Sequence, residues 1–380
     1  MGPIFAIPII LTIALFALII VFHEFGHFVL AKLSRIPVYE FALGFGRPIL
    51  LSFKWRGTQY SVRPIPIGGY VRIAGMEPDE DVPNGFDKKS IPARLGVIAA
   101  GSAMNFVLAI IIFWIVGLAF GEIVGHTSQI QRVIPGTIAA SAGIQAGDVL
   151  VYAEPAPAGK GPAEVKPAAP PPHQMKLETL REVIRGRPDT AVRIVVRRHD
   201  SHLAFYLIPQ AEQEQRLEPS SGGKHRVVTD TVGKIGVVFA DLTKRRGFFE
   251  AVGDGFVQVY ATTKALVVAI ALTLIGKLPP EVGGPVQIGD IMANAFEVGW
   301  QPFLMWSALI SINVGFLNLL PVPALDGSRL VFIIIEGIRR RPIDRRKEAI
   351  VHLIGFALLL LLLVIVTFND ILKLVERHFG

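Results

Sequence analysis

Two histidines four residues apart with a glutamate beside the first are the sharpest candidates for chemistry: His23-Glu24-Phe25-Gly26-His27. On a helix, positions i and i+4 share one face. Both imidazoles can therefore reach one metal ion, with Glu24 placed as general base on a polarised water. Zinc suits this task because it lowers the pKa of its water to about 7. A catalytic zinc needs a third protein ligand. The chain has no cysteine, so that ligand must be a histidine or a carboxylate. Asp326 fits, in Asn318-Leu319-Leu320-Pro321-Val322-Pro323-Ala324-Leu325-Asp326-Gly327, where two prolines should unwind a helix. The bland alternative is an aspartate capping the following helix. Asn318 could donate to a scissile carbonyl or its oxyanion, or serve as interhelical glue. Asn105 is expected to bond a backbone group between helices.

These residues sit in apolar blocks. Of 380 residues 51% are hydrophobic and 18% charged, where soluble domains carry about 25% charge. Disordered chains, coiled coils and ordinary cytosolic enzymes are excluded, as are disulfides, thiolate zinc sites and iron–sulfur clusters. The net charge of +7 comes from Lys and Arg flanking the apolar blocks, as the orientation of membrane spans requires; nucleic-acid binding is not expected. Ionisable groups within a span are costly and mark function, which raises the weight of the His23–His27 pair.

The expected organisation is a polytopic α-helical membrane protein with four transmembrane helices. Residues 1–33 form the first span with its HExxH, and 34–94 a cytoplasmic-side, membrane-associated β-hairpin region with strands at 38–41, 49–55 and 59–62. Residues 95–121 form the second span, rich in small residues. A soluble α+β domain occupies 124–213, with strands at 130–133, 149–152, 192–197 and 204–208, a helix at 177–185, and an Ala/Pro-rich insertion at 154–172 expected as a disordered loop. Residues 214–300 are read as an extracytoplasmic linker with interfacial helices, 301–336 as the third span carrying Asp326, 337–349 as a basic cytoplasmic loop and 350–370 as the fourth span. Within 248–278 the apolar core, 265–275, is short for a crossing. Placing both basic loops in the cytoplasm puts the termini and 124–300 outside. Spans one and three then deliver His23, His27 and Asp326 to the same, cytoplasmic, side only if 248–278 does not cross.

With these motifs in place, the sequence resembles the site-2 protease family of intramembrane zinc metalloproteases, in its PDZ-containing RseP-type bacterial branch. His23-Glu24-Phe25-Gly26-His27-Phe28 matches its first motif and Pro321-Val322-Pro323-Ala324-Leu325-Asp326-Gly327 its second. Gly44-Phe45-Gly46 and Pro66-Ile67-Gly68-Gly69-Tyr70-Val71 match its β region. The stretch from Ile134-Pro135-Gly136 to Gly147-Asp148-Val149-Leu150 is similar to a PDZ domain. The resemblance implies zinc on His23, His27 and Asp326, Glu24 as base, and Asn318, Gly44, Phe45 and Gly46 as substrate contacts. It implies cleavage of transmembrane segments of single-span substrates such as anti-sigma factors, already trimmed outside, and of signal-peptide remnants, in a bacterial inner membrane. The PDZ domain would take a peptide or substrate ectodomain, or act as a size filter. A non-proteolytic PDZ scaffold is the competing reading; it predicts loss of a ligand or of the base, and all four residues are present. A transporter is the third, and no inverted repeat supports it.

Overall fold

The computed structural model describes residues 3–77, 80–157, 166–220, 224–278 and 283–379. The chain runs α1 (Pro3–Leu33), β1 (Val38–Phe45), β2 (Leu51–Trp55), β3 (Thr58–Val62), β4 (Ile65–Ile73) and α2 (Ile91–Phe120). It continues through β5 (Glu122–Val133), α3 (Ile138–Ser141), β6 (Val149–Pro155), β7 (Lys166–Pro167), α4 (Leu177–Arg185), β8 (Val192–Arg198), β9 (Ser201–Leu207), β10 (Gln210–Ser220), β11 (Lys224–Lys234) and β12 (Val237–Lys244). It closes with α5 (Phe248–Leu274), α6 (Pro285–Val298), α7 (Trp300–Leu319), α8 (Asp326–Arg339) and α9 (Arg345–Phe379). Residues 1–120 with 246–380 form one compact unit and 121–245 another.

The first unit is built on α1, α2 and α7. Leu15, Ile19, Leu108, Ile112, Phe303 and Ile312 form its apolar centre. Outward leucines and isoleucines, dense on α9, remain exposed, as lipid-facing residues do. Lipid offers apolar helices no hydrophobic incentive to associate, so close backbone contact must hold them. Gly26 supplies it: a Cβ there would lie 2.1 Å from the Ala100 carbonyl oxygen. Among the described residues, five helical segments are long and apolar enough to cross a membrane: Ile9–Leu33, Ile91–Phe120, Phe248–Leu274, Trp300–Leu319 and Arg346–Leu372. The protein is thus multi-pass. The apolar core expected to be short for a crossing, 265–275, belongs to a continuous 27-residue helix, Phe248–Leu274, that Thr262, Thr263 and Lys264 do not interrupt. The expected single span 301–336 is two helices, α7 and α8, parted by the loop that holds Pro321 and Pro323.

The region after α1 is a four-stranded sheet in the order β2-β3-β1-β4, more than the expected hairpin: β1 pairs parallel with β3 and antiparallel with β4. Ile36, Val38, Ile73 and Val97 anchor it to the helices.

The second unit is a six-stranded sheet, β12-β5-β6-β8-β9-β7, with α4 laid on it through Leu177, Leu180 and Ile184, the i, i+3, i+7 face of an amphipathic helix. Because β12 pairs with β5, this unit extends to Arg245 and not to the expected 213. Part of the expected linker 214–300 is therefore inside the sheet, and β10 and β11 form an antiparallel hairpin. The insertion 154–172 is less irregular than expected at its ends: Lys166 and Pro167 pair with Ala204 and Leu203. Residues 158–165 lie outside the described residues.

Candidate metal centre

α1 carries His23 and His27 one turn apart, and the 320–325 loop delivers Asp326 to them. Asp326 Oδ2 lies 2.9 Å from His23 Nε2 and 3.1 Å from His27 Nε2; the two Nε2 atoms are 3.2 Å apart. Both histidines are buried. Ligand atoms around a tetrahedral zinc at ~2.0–2.1 Å would sit roughly 3.3 Å from one another, so the three separations fit that ion. Two further features agree. Gly101 of α2 faces the cluster, and a Cβ there would lie 2.4 Å from His27 Nε2 and 2.8 Å from His23 Cε1; its missing side chain keeps that space clear. The Val97 carbonyl lies 2.8 Å from His27 Nδ1, which places the ring proton on Nδ1 and leaves Nε2 as a lone-pair donor.

Glu24 is one residue along the helix from His23. Its Oε2 accepts the Val71 N–H at 3.0 Å, so β4 holds the carboxylate. Val71 pairs with Phe41 of β1 on one side and meets Glu24 on the other. β4 is an end strand of its sheet.

The Asp326 loop is held from behind. Ala324 adopts φ +81°, a conformation costly for a residue with a side chain. Its N–H lies 3.3 Å from His352 Nδ1 on α9, whose Nε2 is 3.4 Å from Ser328 Oγ. Farther along α8, Glu336 receives both guanidinium nitrogens of Arg94, at 3.0 and 2.6 Å, which ties α8 to the start of α2.

Of the residues singled out from sequence, His23, Glu24, His27 and Asp326 come together around this cluster. Asn318 is half-buried on the last turn of α7, and among the described residues its side chain has no hydrogen-bond partner. Gly44 and Phe45 close β1 and Gly46 follows it; β1 has β3 on one edge and β4 on the other, so β1 has no edge free for a substrate strand. Phe45 stacks on Tyr70, ring centres 6.1 Å apart. The available edge beside Glu24 belongs to β4. Asn105, expected to bond backbone, points its amide at His23 Nδ1, 3.4 Å away. His352 was not singled out; its only sequence signal is a histidine near the start of an apolar span.

The chain matches Peptidase family M50 over residues 11–362. It is 29% identical to the zinc metalloprotease RasP of Geobacillus kaustophilus, across 96% of this chain and 98% of that protein. It is 27% identical to the regulator of sigma-W protease RasP of Bacillus subtilis, across 97% and 99%. It is likewise 29% identical to the zinc metalloprotease RasP of Oceanobacillus iheyensis, across 96% and 99%.

Proposed function

The chain belongs to peptidase family M50, and on that premise we propose that it is a zinc-dependent intramembrane endopeptidase of the site-2 protease type, cleaving transmembrane segments of single-span membrane proteins. The observation that carries this reading is the convergence of His23, His27 and Asp326 within 3.2 Å of one another, beside Glu24, on helices apolar enough to cross a membrane. Zinc held by those three side chains would supply Lewis acidity toward a peptide carbonyl and a water. Glu24 removes the proton from the attacking water and returns it to the leaving amine. The Val71 N–H keeps that carboxylate in place.

A transmembrane helix hides its peptide bonds, so a substrate must be extended before cleavage. The outer edge of β4 runs past Glu24 and suits strand addition by such a segment. We assign substrate positioning to β4, in place of Gly44, Phe45 and Gly46. The anti-sigma type of substrate is supported by the Bacillus subtilis relative, a regulator of sigma-W protease; signal-peptide remnants are a second class.

We read four of the five apolar helices as crossing, with α5 set against the membrane. α5 starts beside Trp114, whose ring meets Phe248 at 5.0 Å, on the half of α2 beyond Asn105. The N-terminus of α6 is bound by Asp370 through the Gln287 N–H at 3.1 Å, about 27 Å along α9 from His352 at 1.5 Å per residue. The starts of α5 and of α6 thus both lie on the side away from the Asp326 loop. A crossing by α5 would carry Leu274 to the side opposite Pro285, only about eleven positions later, too few for a helical return of about 20 residues. On this reading the termini and residues 121–245 are outside a bacterial inner membrane and the metal centre is toward the cytoplasm. We read 121–245 as a PDZ module taking an extended peptide at β12, an end strand with α4 beside it: Arg181 lies 5.2 Å from the Phe239 ring.

The test is Glu24→Gln in detergent, with a panel of single-span substrates. The variant should keep its zinc while cleavage falls by about two to four orders of magnitude. Undiminished cleavage would exclude Glu24 as the base, and a wild type that cleaves nothing in the panel while retaining zinc would favour the PDZ scaffold.

A further inference from the structure

We propose that Asn105 is a positioning residue of the metal centre, holding the His23 ring by accepting its Nδ1–H through the side-chain carbonyl. The inference rests on the metal-centre reading above. For His23 to present Nε2 as a ligand, the ring must be neutral with its proton on Nδ1. That proton needs an acceptor, since His23 is buried. The Asn105 amide is the group facing Nδ1, with its Nδ2 at 3.4 Å.

Asn105 is wholly buried, and its Oδ1 has no hydrogen-bond partner; a buried acceptor left so costs about 1–3 kcal/mol. With Nδ2 toward the ring, His23 Nδ1 would have to accept, and the ring proton would move to Nε2. There it would point at Asp326 Oδ2 and His27 Nε2 and block ligation. A half-turn of the amide exchanges Oδ1 and Nδ2 with little change of shape. The unpartnered acceptor then meets the ring's unpartnered donor, and Nε2 is left as a lone pair.

The residue is well fixed for this work. Ser311 Oγ of α7 donates to the Asn105 backbone carbonyl at 2.8 Å. Gly315, one turn farther along α7, leaves room for it: a Cβ there would lie 3.0 Å from Asn105 Cβ. The two histidines are then matched by two acceptors on one antiparallel helix, the Val97 carbonyl for His27 and the Asn105 side chain for His23. Gly101 lies between them, against the cluster.

The test is the zinc dissociation constant of the full chain in detergent, by competition with a chromophoric chelator, for the wild type, Asn105→Leu and Asn105→Asp. Leu matches the volume and cannot accept; Asp accepts and cannot donate. Loss of an outer partner of a metal histidine weakens metal binding by about 10–100-fold; that is expected for Leu, with Asp restoring affinity to within about threefold. A packing role predicts the reverse order, because Leu packs in an apolar bundle and a buried carboxylate does not. Wild-type affinity in Asn105→Leu, or a failure of Asn105→Asp as large as that of Leu, overturns the proposal. If the Leu chain does not fold, Asn105→Ala, which removes the acceptor without adding bulk, takes its place in the same comparison. A folded wild type that takes up no zinc overturns the metal-centre reading itself.

Discussion

Asp148 is a buried carboxylate and Asp326 a partly buried one, in different units, and their partners differ in kind. Asp148, 1% exposed, receives Arg198 Nε at 2.7 Å, the Arg198 terminal nitrogen at 2.8 Å and the Gln145 N–H at 2.9 Å. Its charge is neutralised and its oxygens are occupied, so it has nothing left to offer a ligand. Asp326 faces two imidazole nitrogens. Each of those nitrogens can serve as a lone-pair donor, and no guanidinium or ammonium contacts the carboxylate among the described residues. A shielded aspartate with a guanidinium is finished structure; one that meets only lone-pair donors is completed by a cation.

The comparison can be broken in order of effect. Asp326→Asn should abolish zinc retention and cleavage together while the helices stay folded, since the change is isosteric; cleavage at the wild-type rate would remove Asp326 from the ligand set. Asp148→Ala should do the opposite. It removes the carboxylate that Arg198 and the Gln145 N–H share and should destabilise residues 121–245 by about 3 kcal/mol, the upper end for hydrogen bonds to a charged group, with the zinc content unchanged; a calorimetric melt of the full chain reads the first and metal analysis the second. His352→Phe should have a smaller effect, about 1–3 kcal/mol for the Ala324 N–H left without an acceptor, seen as weaker zinc binding in a chain that still folds. An unaltered zinc affinity would mean that the loop keeps its shape without α9.

The smallest effect belongs to Glu40, a third carboxylate on the structural side of the comparison. Burial pushes its pKa up, but hydrogen bonds from Ser61, Arg63 and Tyr70 together outweigh this and hold it below the ordinary value. A carboxylate depressed in the folded state stabilises above its unfolded pKa, near about 4.3, and loses that contribution as pH falls through the lower folded value. Glu40→Gln should therefore lower the melting temperature at neutral pH and flatten its acid dependence. Equal acid slopes in the two chains would show that Glu40 is not a contributor.

Much of the centre was legible in the sequence because it is local or tied to a helix period. His23 and His27 share a face at any helical register, and the prolines at 321 and 323 announce the break before Asp326. What could not be read depends on tertiary contact. That β4, and not β1, has the edge beside Glu24 follows from β3 pairing parallel to β1, which no alternation of residues reveals. The extent of the second unit was missed for a similar reason: β12 returns to β5 from across the β10–β11 hairpin, so its place is set by a partner about a hundred residues away. Asn105 carried a usable signal, four residues after Gly101 on one face of an apolar helix, but only the crossing of α1 and α2 at Gly26 shows what that face meets.

The most direct measurement is the zinc content of the purified full chain in detergent without chelator, for the wild type and Asp326→Asn side by side. A single tetrahedral centre predicts about one zinc per chain in the wild type and close to none in the variant. A folded wild type without zinc, or an Asp326→Asn chain that holds as much as the wild type, would contradict it.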